Sequence, residues 1–381
     1  MGINIRPEER DESNLTRLTI DYKTSKAETP NRFVNRNDIN AKNSIGANIP
    51  LTRMRNIFVY EESINEKVIE NIINRNGYLA EFKNKIDKFF SRIEDNRCLK
   101  AVFPKLPDNI RKQIKNNPDS RTSIEIKNFL LDLSQELKSE LYIFNSEILD
   151  NNVINFLNGN DITYAPVFKI KENKNIKRNF GKWTSSDSLV PFIGFTYSSY
   201  ANASLSYKYI ISQLDRVHEA NKGVIMVDIP RTPNLEPYKD ISGPHYSSFL
   251  ISDISTEIYL SGHGSSDKNN TRIFEKDSLT VPIIGKNYNT NKHRGEDNMF
   301  NPDNSLKDLF WRTLKGQNTD IDVDKKRPGY LSRVHESYMT TLEYEEMRKS
   351  LINNYLKDYR NSKIELTNLL KSQKVLDNFS F

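Results

Sequence analysis

The residues best suited to chemistry come directly after short apolar runs of the sequence. Asp228 follows Gly223-Val-Ile-Met-Val227 and precedes Ile-Pro-Arg231, which places a carboxylate where a buried strand meets a loop. A carboxylate in that position is suited to act as a base or as a nucleophile. The structural alternative is an Asp whose side chain caps the following turn. We predict that Asp228 is a catalytic residue.

A second candidate lies in Ile258-Tyr-Leu-Ser-Gly-His-Gly264, the most distinctive string of the chain. Gly262 and Gly264 would let the backbone approach a ligand closely, and His263 would direct its imidazole into a pocket. A structural histidine at a tight turn is the alternative. The Ser-Gly-His-Gly string resembles the histidine motif of caspase-like cysteine peptidases. That family needs a cysteine after a later strand, whereas the single cysteine here is Cys98, so we do not expect a thiol peptidase.

Other apolar runs also end in polar residues. Glu147 follows Phe144-Asn-Ser and would provide a second catalytic acid beside Asp228, or it would only favour the start of a helix through the helix dipole. The predicted substrate-binding residues share this position at the end of a run, and they are Asn145, Ser146, Lys169, Lys171, Tyr197, Arg231, Gly262 and Gly264.

Eight short apolar runs are the elements that would position these side chains. They lie at residues 56–60, 99–103, 140–144, 163–168, 190–195, 223–227, 257–260 and 280–284. Each is rich in β-branched or aromatic residues and too short for a helix, and helical patterns lie between many of them. This alternation predicts an α/β protein with a (β/α)8 TIM-like barrel. A doubly wound sheet is the rival fold.

The prediction divides the chain into three parts. They are a polar N-terminal arm at residues 1–48, the barrel at residues 49–290, and a loop with a helical C-terminal extension at residues 291–381 that packs on the barrel. The C-terminal helix also offers a surface for oligomer formation. The sequence lacks an apolar run of eighteen residues, and its first thirty residues are polar, so we expect a cytoplasmic protein without a membrane partner.

Charge and motifs narrow the classes of partner and cofactor. Lys and Arg total 56 against 50 for Asp and Glu, and a net charge of +6 permits a nucleic-acid partner. The sequence contains neither a Walker loop nor a His-Glu-x-x-His motif. His245, His293 and His335 are scattered without metal-ligand spacing, and a lone cysteine excludes a four-cysteine zinc site. We therefore expect no cofactor and no metal.

Four segments carry a family resemblance, namely Glu28-Thr-Pro30, Phe144-Asn-Ser-Glu147, Tyr259-Leu-Ser-Gly-His-Gly264, and His335-Glu-Ser-Tyr338 with Glu345 and Arg348. They resemble four signatures of the tRNA-guanine transglycosylases and their DNA-modifying relatives. The signatures are an N-terminal Thr-Pro, an Asp-Ser-Gly-Gly base-binding turn, a late strand ending in Met-Gly-Val-Gly, and a C-terminal His-x-x-Tyr-x6-Glu-x-x-Arg helix. The resemblance implies a (β/α)8 barrel that exchanges a base in tRNA or DNA.

The chain departs from that family at its reactive groups. The family binds zinc through three cysteines and the histidine that corresponds to His335, and these cysteines are absent here. Its nucleophilic Asp lies in the last barrel strand, where this chain has Pro282-Ile-Ile-Gly-Lys-Asn287. Asn145 replaces the first acid of the base-binding turn. Either the active site has moved to Asp228 and Glu147, or the chain is a diverged member with altered chemistry or none.

Three functions follow as hypotheses. In the first, Asp228 attacks or stabilises the sugar C1′ as the base departs, Tyr197 stacks on the base or forms a hydrogen bond with it, and cationic residues near Lys169 hold phosphates. In the second, the chain is a non-catalytic nucleic-acid-binding or assembly protein on a degenerate barrel. In the third, it is a barrel hydrolase or lyase for a small molecule, which would use Lys169 and His263.

Overall fold

The structure of the chain is a computed structural model. It describes residues 3–10, 16–22, 25–45, 57–93, 98–137, 140–170, 173–185, 189–198, 200–230, 254–258, 280–283, 286–289 and 344–362.

The chain begins with a small antiparallel sheet of three strands, β1 (Asn4–Arg10), β2 (Thr16–Tyr22) and β3 (Ser25–Glu28). Alternation along the strands gives this sheet one apolar face, on which Ile5, Leu18 and Ile20 are almost fully buried. A Cβ built on Gly223, at the start of a later strand, would come within 3.3 Å of the Leu18 side chain. The sheet therefore packs against the N-terminal end of the strands that follow.

Eight parallel strands pair side by side in a closed ring. They are β4 (Asn31–Asn35), β5 (Ile57–Ser63), β6 (Leu99–Lys105), β7 (Leu141–Asn145), β8 (Tyr164–Lys169), β9 (Phe192–Thr196), β10 (Gly223–Pro230) and β11 (Ile254–Ile258). Neighbours follow in chain order from β4 to β11, and β11 pairs with β4. The six strands from β5 to β10 coincide with predicted apolar runs, as expected for strands that are covered on both faces, and β11 shares two residues with the run predicted at 257–260.

The first strand of the ring lies in the segment that the sequence analysis placed in a polar arm. β4 reads Asn-Arg-Phe-Val-Asn, so it lacks a continuous apolar run, yet all five residues are buried. Several of its polar side-chain atoms have partners nearby in the sequence. The Arg32 Nη2 atom lies 2.8 Å from Asp38 Oδ2, and the Asn35 Oδ1 atom accepts the backbone N–H groups of Asn37 and Asp38.

The predicted run at residues 280–284 forms β12 (Thr280–Ile283), which pairs antiparallel with β13 (Lys286–Asn289) in a separate two-stranded sheet. It therefore does not supply a strand of the ring.

Helices follow the first six strands of the ring. They are α1 (Arg36–Ile45), α2 (Glu66–Asn74), α3 (Tyr78–Phe90), α4 (Asp108–Asn116), α5 (Arg121–Glu136), α6 (Asn151–Gly159), α7 (Asn173–Thr184), α8 (Tyr200–Ser212) and α9 (Leu214–Glu219). A short 3-10 helix, Ser146–Ile148, directly follows β7. The segments after β10 and β11 lie outside the described residues. The mixed α/β class and the curled parallel sheet are thus confirmed.

Side-chain caps explain where several helices begin. Asn65, Ser120 and Asp150 precede α2, α5 and α6, and each accepts a backbone N–H of the first turn. The apolar faces of the helices then pack on the outside of the ring, where Phe82, Leu133 and other buried residues form one cluster. Within the described part of the chain, none of the helices combines the length and apolar character that a bilayer crossing requires.

Two helices are described near the C-terminus, α10 at residues 344–352 and α11 (Leu356–Ser362). Arg348 of α10 is buried and donates a hydrogen bond to the carbonyl oxygen of Pro30, directly before β4. Burial lowers the pKa of Arg348 to about 10, and the neighbouring Glu28 opposes that shift. Two of the four segments that carry the family resemblance are therefore in contact. His335 and Tyr338 lie outside the described residues.

Candidate functional site

The inside of the ring changes from apolar to polar toward the carboxyl ends of its strands. Alternate residues such as Val59, Phe103, Ile143, Val167 and Val227 are almost completely buried and form one cluster inside the ring. The next alternate positions on four neighbouring strands are Glu61, Lys105, Asn145 and Lys169. We call these four residues and Asp228 the polar layer. In (β/α)8 barrels, active sites lie at the carboxyl ends of the strands.

Asp228 enters the polar layer through an irregularity in β10. Strict alternation would direct residue 228 away from the interior, because Val227 faces inward. The pairing of β10 with β11 shifts register between Met226 and Ile229, and Asp228 has a φ of 64°, in the left-handed region. A bulge re-aims a side chain, and a left-handed residue other than glycine costs about 1–2 kcal/mol. The local backbone thus departs from the regular strand at the carboxylate predicted to be catalytic.

Lys105 reaches Asp228 from the opposite side of the ring. β6 and β10 are separated by four steps in either direction around the eight strands, and the Lys105 ammonium group donates to Asp228 Oδ1. Burial alone would lower the pKa of Lys105, but Asp228 and Glu61 together outweigh that effect and raise it. Lys105 is therefore positively charged at neutral pH, and its contact with Asp228 crosses the mouth of the ring.

Glu61 completes a cluster of two carboxylates around one ammonium group. Its Oε1 atom lies 3.5 Å from Lys105 Nζ. Since both carboxylates lie within 3.5 Å of the same nitrogen, their nearest oxygens are at most about 7 Å apart, a span that includes the roughly 5–5.5 Å separation used by retaining glycosidases. The side chains of Glu61 and Asp228 are 23% and 14% exposed, so the cluster is only partly covered.

A second network of charges lies beside this cluster, at the start of α4. Arg111 is buried, and its Nε atom donates to Glu147 Oε1 at 2.9 Å. Asp108 lies 3.8 Å from Arg111 Nη1 and 3.0 Å from Lys169 Nζ. The hydrogen bond from Lys169 lowers the pKa of Asp108 against a smaller opposing effect of burial. The structure thus links Glu147 to Lys169 through α4.

This network gives Glu147 a partner other than Asp228. A buried pair of Arg and carboxylate is tolerated only while both charges are present. Removal of one partner leaves the other as an unpaired buried charge, which destabilises the fold. Glu147 was predicted as a second catalytic acid, and that role stays a prediction. In the described structure its closest charged neighbour is Arg111, whereas the carboxylate beside Lys105 and Asp228 is Glu61.

Asn145 and Ser146 lie where β7 ends. Asn145 is buried, and its Oδ1 atom accepts the backbone N–H of Leu106 at 2.8 Å, which fixes the turn that follows β6. This bond leaves the NH2 end of the Asn145 amide as a donor. Ser146 opens the 3-10 helix, and its carbonyl accepts the backbone N–H of Leu149 at 3.2 Å.

Tyr197 directly follows β9, and its backbone N–H donates to the carbonyl of Val227 at 2.8 Å. Its side chain packs against the core between the ring and the helices, 6.5 Å from the ring centroid of Tyr207. Burial raises the pKa of Tyr197 to about 12, so the hydroxyl remains protonated at neutral pH. Its role in stacking on a base or forming a hydrogen bond with it stays a prediction.

The remaining predicted site residues, Lys171, Arg231, Gly262, His263 and Gly264, lie outside the described residues. Glu61 and Lys105, in contrast, belong to the site and were missing from the predicted set. The signal for them was present, since both lie at the carboxyl end of a predicted apolar run, as Asp228 does. Among the residues that the structure describes, no group of three or more His, Cys, Asp or Glu side chains is arranged to hold a metal ion.

Comparisons with known proteins add no functional assignment. No protein-family model and no curated protein matches the chain. Among solved structures, a GH26 β-mannanase from Bacteroides ovatus matches with a TM-score of 0.30 and 9% identity, over 53% of this chain and 70% of that one. A similarity at this level carries no argument about fold or function.

Proposed function

We propose that the chain is an enzyme that breaks or exchanges a glycosidic bond with carboxylates at the mouth of its strand ring. We propose in addition that the ring is part of a complete (β/α)8 barrel, in which helices also follow β10 and β11. The observation that carries the functional proposal is the left-handed bulge at Asp228, which directs a carboxylate toward Lys105 and Glu61. Four described residues other than glycine have a positive φ, and of these Asp228 is the one that lies within a strand of the ring. A left-handed residue inside a strand, at the carboxyl end where chemistry is expected, supports a functional role for that residue.

Glycosidic chemistry suits this pair of acids. One carboxylate attacks the anomeric carbon while the other, in its acid form, gives a proton to the leaving group. We assign attack to Asp228. Its oxygen forms a bond to C1′, the bond from C1′ to the base breaks, and the departing base takes a proton from Glu61. A new base or water then attacks C1′, gives its proton to the Glu61 carboxylate and breaks the bond between C1′ and Asp228, so that both acids return to their starting state.

The proposed substrate is a nucleoside unit of tRNA or DNA. The family resemblance and the net charge of +6 support this class. The unit would have to leave its stack to reach the polar layer, and Lys169 would contact its phosphates. Removal of Lys169 should therefore weaken binding in a salt-dependent manner.

Base release from labelled tRNA and duplex DNA tests the proposal. We expect activity in the wild type, a loss of at least about 100-fold in Asp228→Asn and in Glu61→Gln, and no loss in Glu81→Gln. Glu81 is a matched control, because this carboxylate pairs with Arg75 on the outer surface. Equal activity in Asp228→Asn and the wild type would refute the assignment.

A non-catalytic nucleic-acid-binding or assembly protein is the second candidate. It is favoured by the Lys105–Asp228 contact, which leaves the carboxylate of Asp228 occupied. Salt-sensitive binding without base release, equal in the wild type and Asp228→Asn, would support this candidate. Oligomer formation through the C-terminal helix and the small-molecule hydrolase or lyase stay predictions.

A further inference from the structure

We infer that Lys105 makes the site selective for phosphorylated substrates, because a phosphate that binds Lys105 releases the carboxylate of Asp228. This inference deepens the proposed function, on which its catalytic consequence rests. Its first part, oxyanion binding that competes with Asp228, depends only on the described geometry.

The contact between Lys105 and Asp228 lies in the path of any ligand that enters the ring. The interior below it is filled by fully buried apolar side chains such as Val59, Phe103 and Val227. Eight-stranded barrels have an interior that side chains just fill. A ligand must therefore bind at the level of the Lys105–Asp228 contact or above it.

The polar layer divides into two halves of opposite chemical character. β6, β7 and β8 are neighbours and contribute Lys105, Asn145 and Lys169, which present two ammonium groups and one amide NH2. Asp228 on the opposite strand β10 and Glu61 on β5 contribute carboxylates. Ammonium and amide donors suit the oxygens of a phosphate ester, and the carboxylates suit an electron-poor carbon. The layout thus fits a sugar phosphate whose anomeric carbon faces Asp228.

The partners of the two lysines can be exchanged for a phosphate. Lys169 binds Asp108, whose side chain is 74% exposed and can turn into solvent. Lys105 binds Asp228 and Glu61, so an incoming anion competes with two carboxylates for one cation. Competition for the cation means that phosphate binding and release of Asp228 are thermodynamically coupled.

This coupling gives a reason why the proposed nucleophile, Asp228, forms an ion pair with Lys105. Without a phosphate, Lys105 neutralises Asp228 and occupies the mouth. With a phosphate bound, the ammonium group moves toward the new anion, and Lys105 no longer neutralises Asp228 as it approaches C1′. Substrates without the phosphate leave the contact intact and should react slowly even when they bind.

Inorganic sulfate is a suitable probe, since it is a tetrahedral oxyanion that cannot react. Its affinity for the full chain is measured by calorimetry in the wild type and in four variants. Lys105→Met should weaken binding by about 10-fold or more, because a charge-assisted contact is lost, and Lys105→Arg should restore most of it. Lys83→Met, which removes a lysine paired with Glu136 on the outer surface, should bind as the wild type does.

Asp228→Asn should change the sulfate affinity in the opposite direction from Lys105→Met. Removal of the competing carboxylate should tighten sulfate binding by about 5-fold or more, a gain that a purely structural lysine would not produce. Carbodiimide labelling of Asp228, mapped by mass spectrometry, should increase several-fold in the wild type when sulfate is bound. Sulfate affinity that is unchanged in both Lys105→Met and Asp228→Asn would overturn the inference.

These results are separable from the proposed function. Coupled sulfate binding and labelling without base release from any nucleic acid would preserve the oxyanion site and reject the glycosidic reaction. Base release that depends on Asp228, together with sulfate binding that does not depend on Lys105, would preserve the reaction and reject the inference.

Discussion

The two ends of the strand ring are built from opposite chemistry. At the N-terminal end, the β1–β3 sheet covers the ring with apolar side chains, so that Ile5, Leu18 and Ile20 continue the core of the ring. At the carboxyl end, the same strands end in the polar layer, where Asp228 has a left-handed backbone and Lys105 crosses the mouth. Burial of apolar side chains at the N-terminal end stabilises the fold, and part of that stability offsets the cost of holding charges together at the carboxyl end.

The largest expected effect on stability belongs to the covered end. Leu18→Ala would remove a fully buried side chain between the β1–β3 sheet and the ring, at a cost of about 2–5 kcal/mol in the free energy of unfolding. Denaturant titration measures this cost. The oxyanion affinity of the folded fraction should not change, and a parallel loss of affinity would contradict the separation of the two ends.

Arg348→Met tests the attachment of α10 at the same end. The buried guanidinium of Arg348 donates to the Pro30 carbonyl, and its loss leaves that acceptor without this donor, at about 1–3 kcal/mol. Methionine retains much of the apolar contact area. Protease cleavage within residues 344–352 should become faster in the variant, as mass spectrometry of the fragments would show. Unchanged cleavage and unchanged stability would mean that Arg348 does not secure the helix.

At position 228, we expect glycine to give a more stable protein than alanine, which is the reverse of their usual order within a strand. Because its φ is 64°, Asp228→Gly removes the left-handed penalty while Asp228→Ala retains it, so the glycine variant should be more stable by about 1 kcal/mol. Both variants lose the carboxylate, so their contacts with Lys105 are matched. Paired thermal unfolding measures the difference. An alanine variant at least as stable as the glycine variant would argue against strain at this position.

The smallest effect is expected on the outer surface, away from both ends. Arg75 lies 2.7 Å from Glu81, and both side chains are about half exposed. Arg75→Ala should change the free energy of unfolding by less than about 1 kcal/mol, since surface ion pairs contribute little. A larger loss in the free energy of unfolding would contradict the expectation that an ion pair away from both ends of the ring contributes little to stability.

Sequence reasoning identified most strands because buried parallel strands are continuous apolar runs. It missed β4, since Arg32 and the flanking asparagines read as a polar segment. Their partners, above all Asp38, become visible only in the folded chain. The run at residues 280–284 was wrongly assigned to the ring, because an apolar run of that length also suits a two-stranded sheet outside the ring.

The candidate site was predictable only in part. Asp228 was found from its place after an apolar run, and the same rule applies to Glu61 and Lys105. The bulge that redirects Asp228 leaves no local signal, and the contact with Lys105 joins residues 123 positions apart. The partner of Glu147 was equally hidden, since Arg111 lies on a helix that follows a different strand.

The central claim is that Asp228 forms a bond to the sugar as the base departs. The most direct measurement is mass spectrometry of the protein after an acid quench during reaction with labelled tRNA or duplex DNA. We predict a nucleic-acid adduct on the peptide that contains Asp228 in the wild type, and no adduct in Asp228→Asn. Base release that proceeds equally in both proteins, without an adduct on that peptide, would contradict the claim.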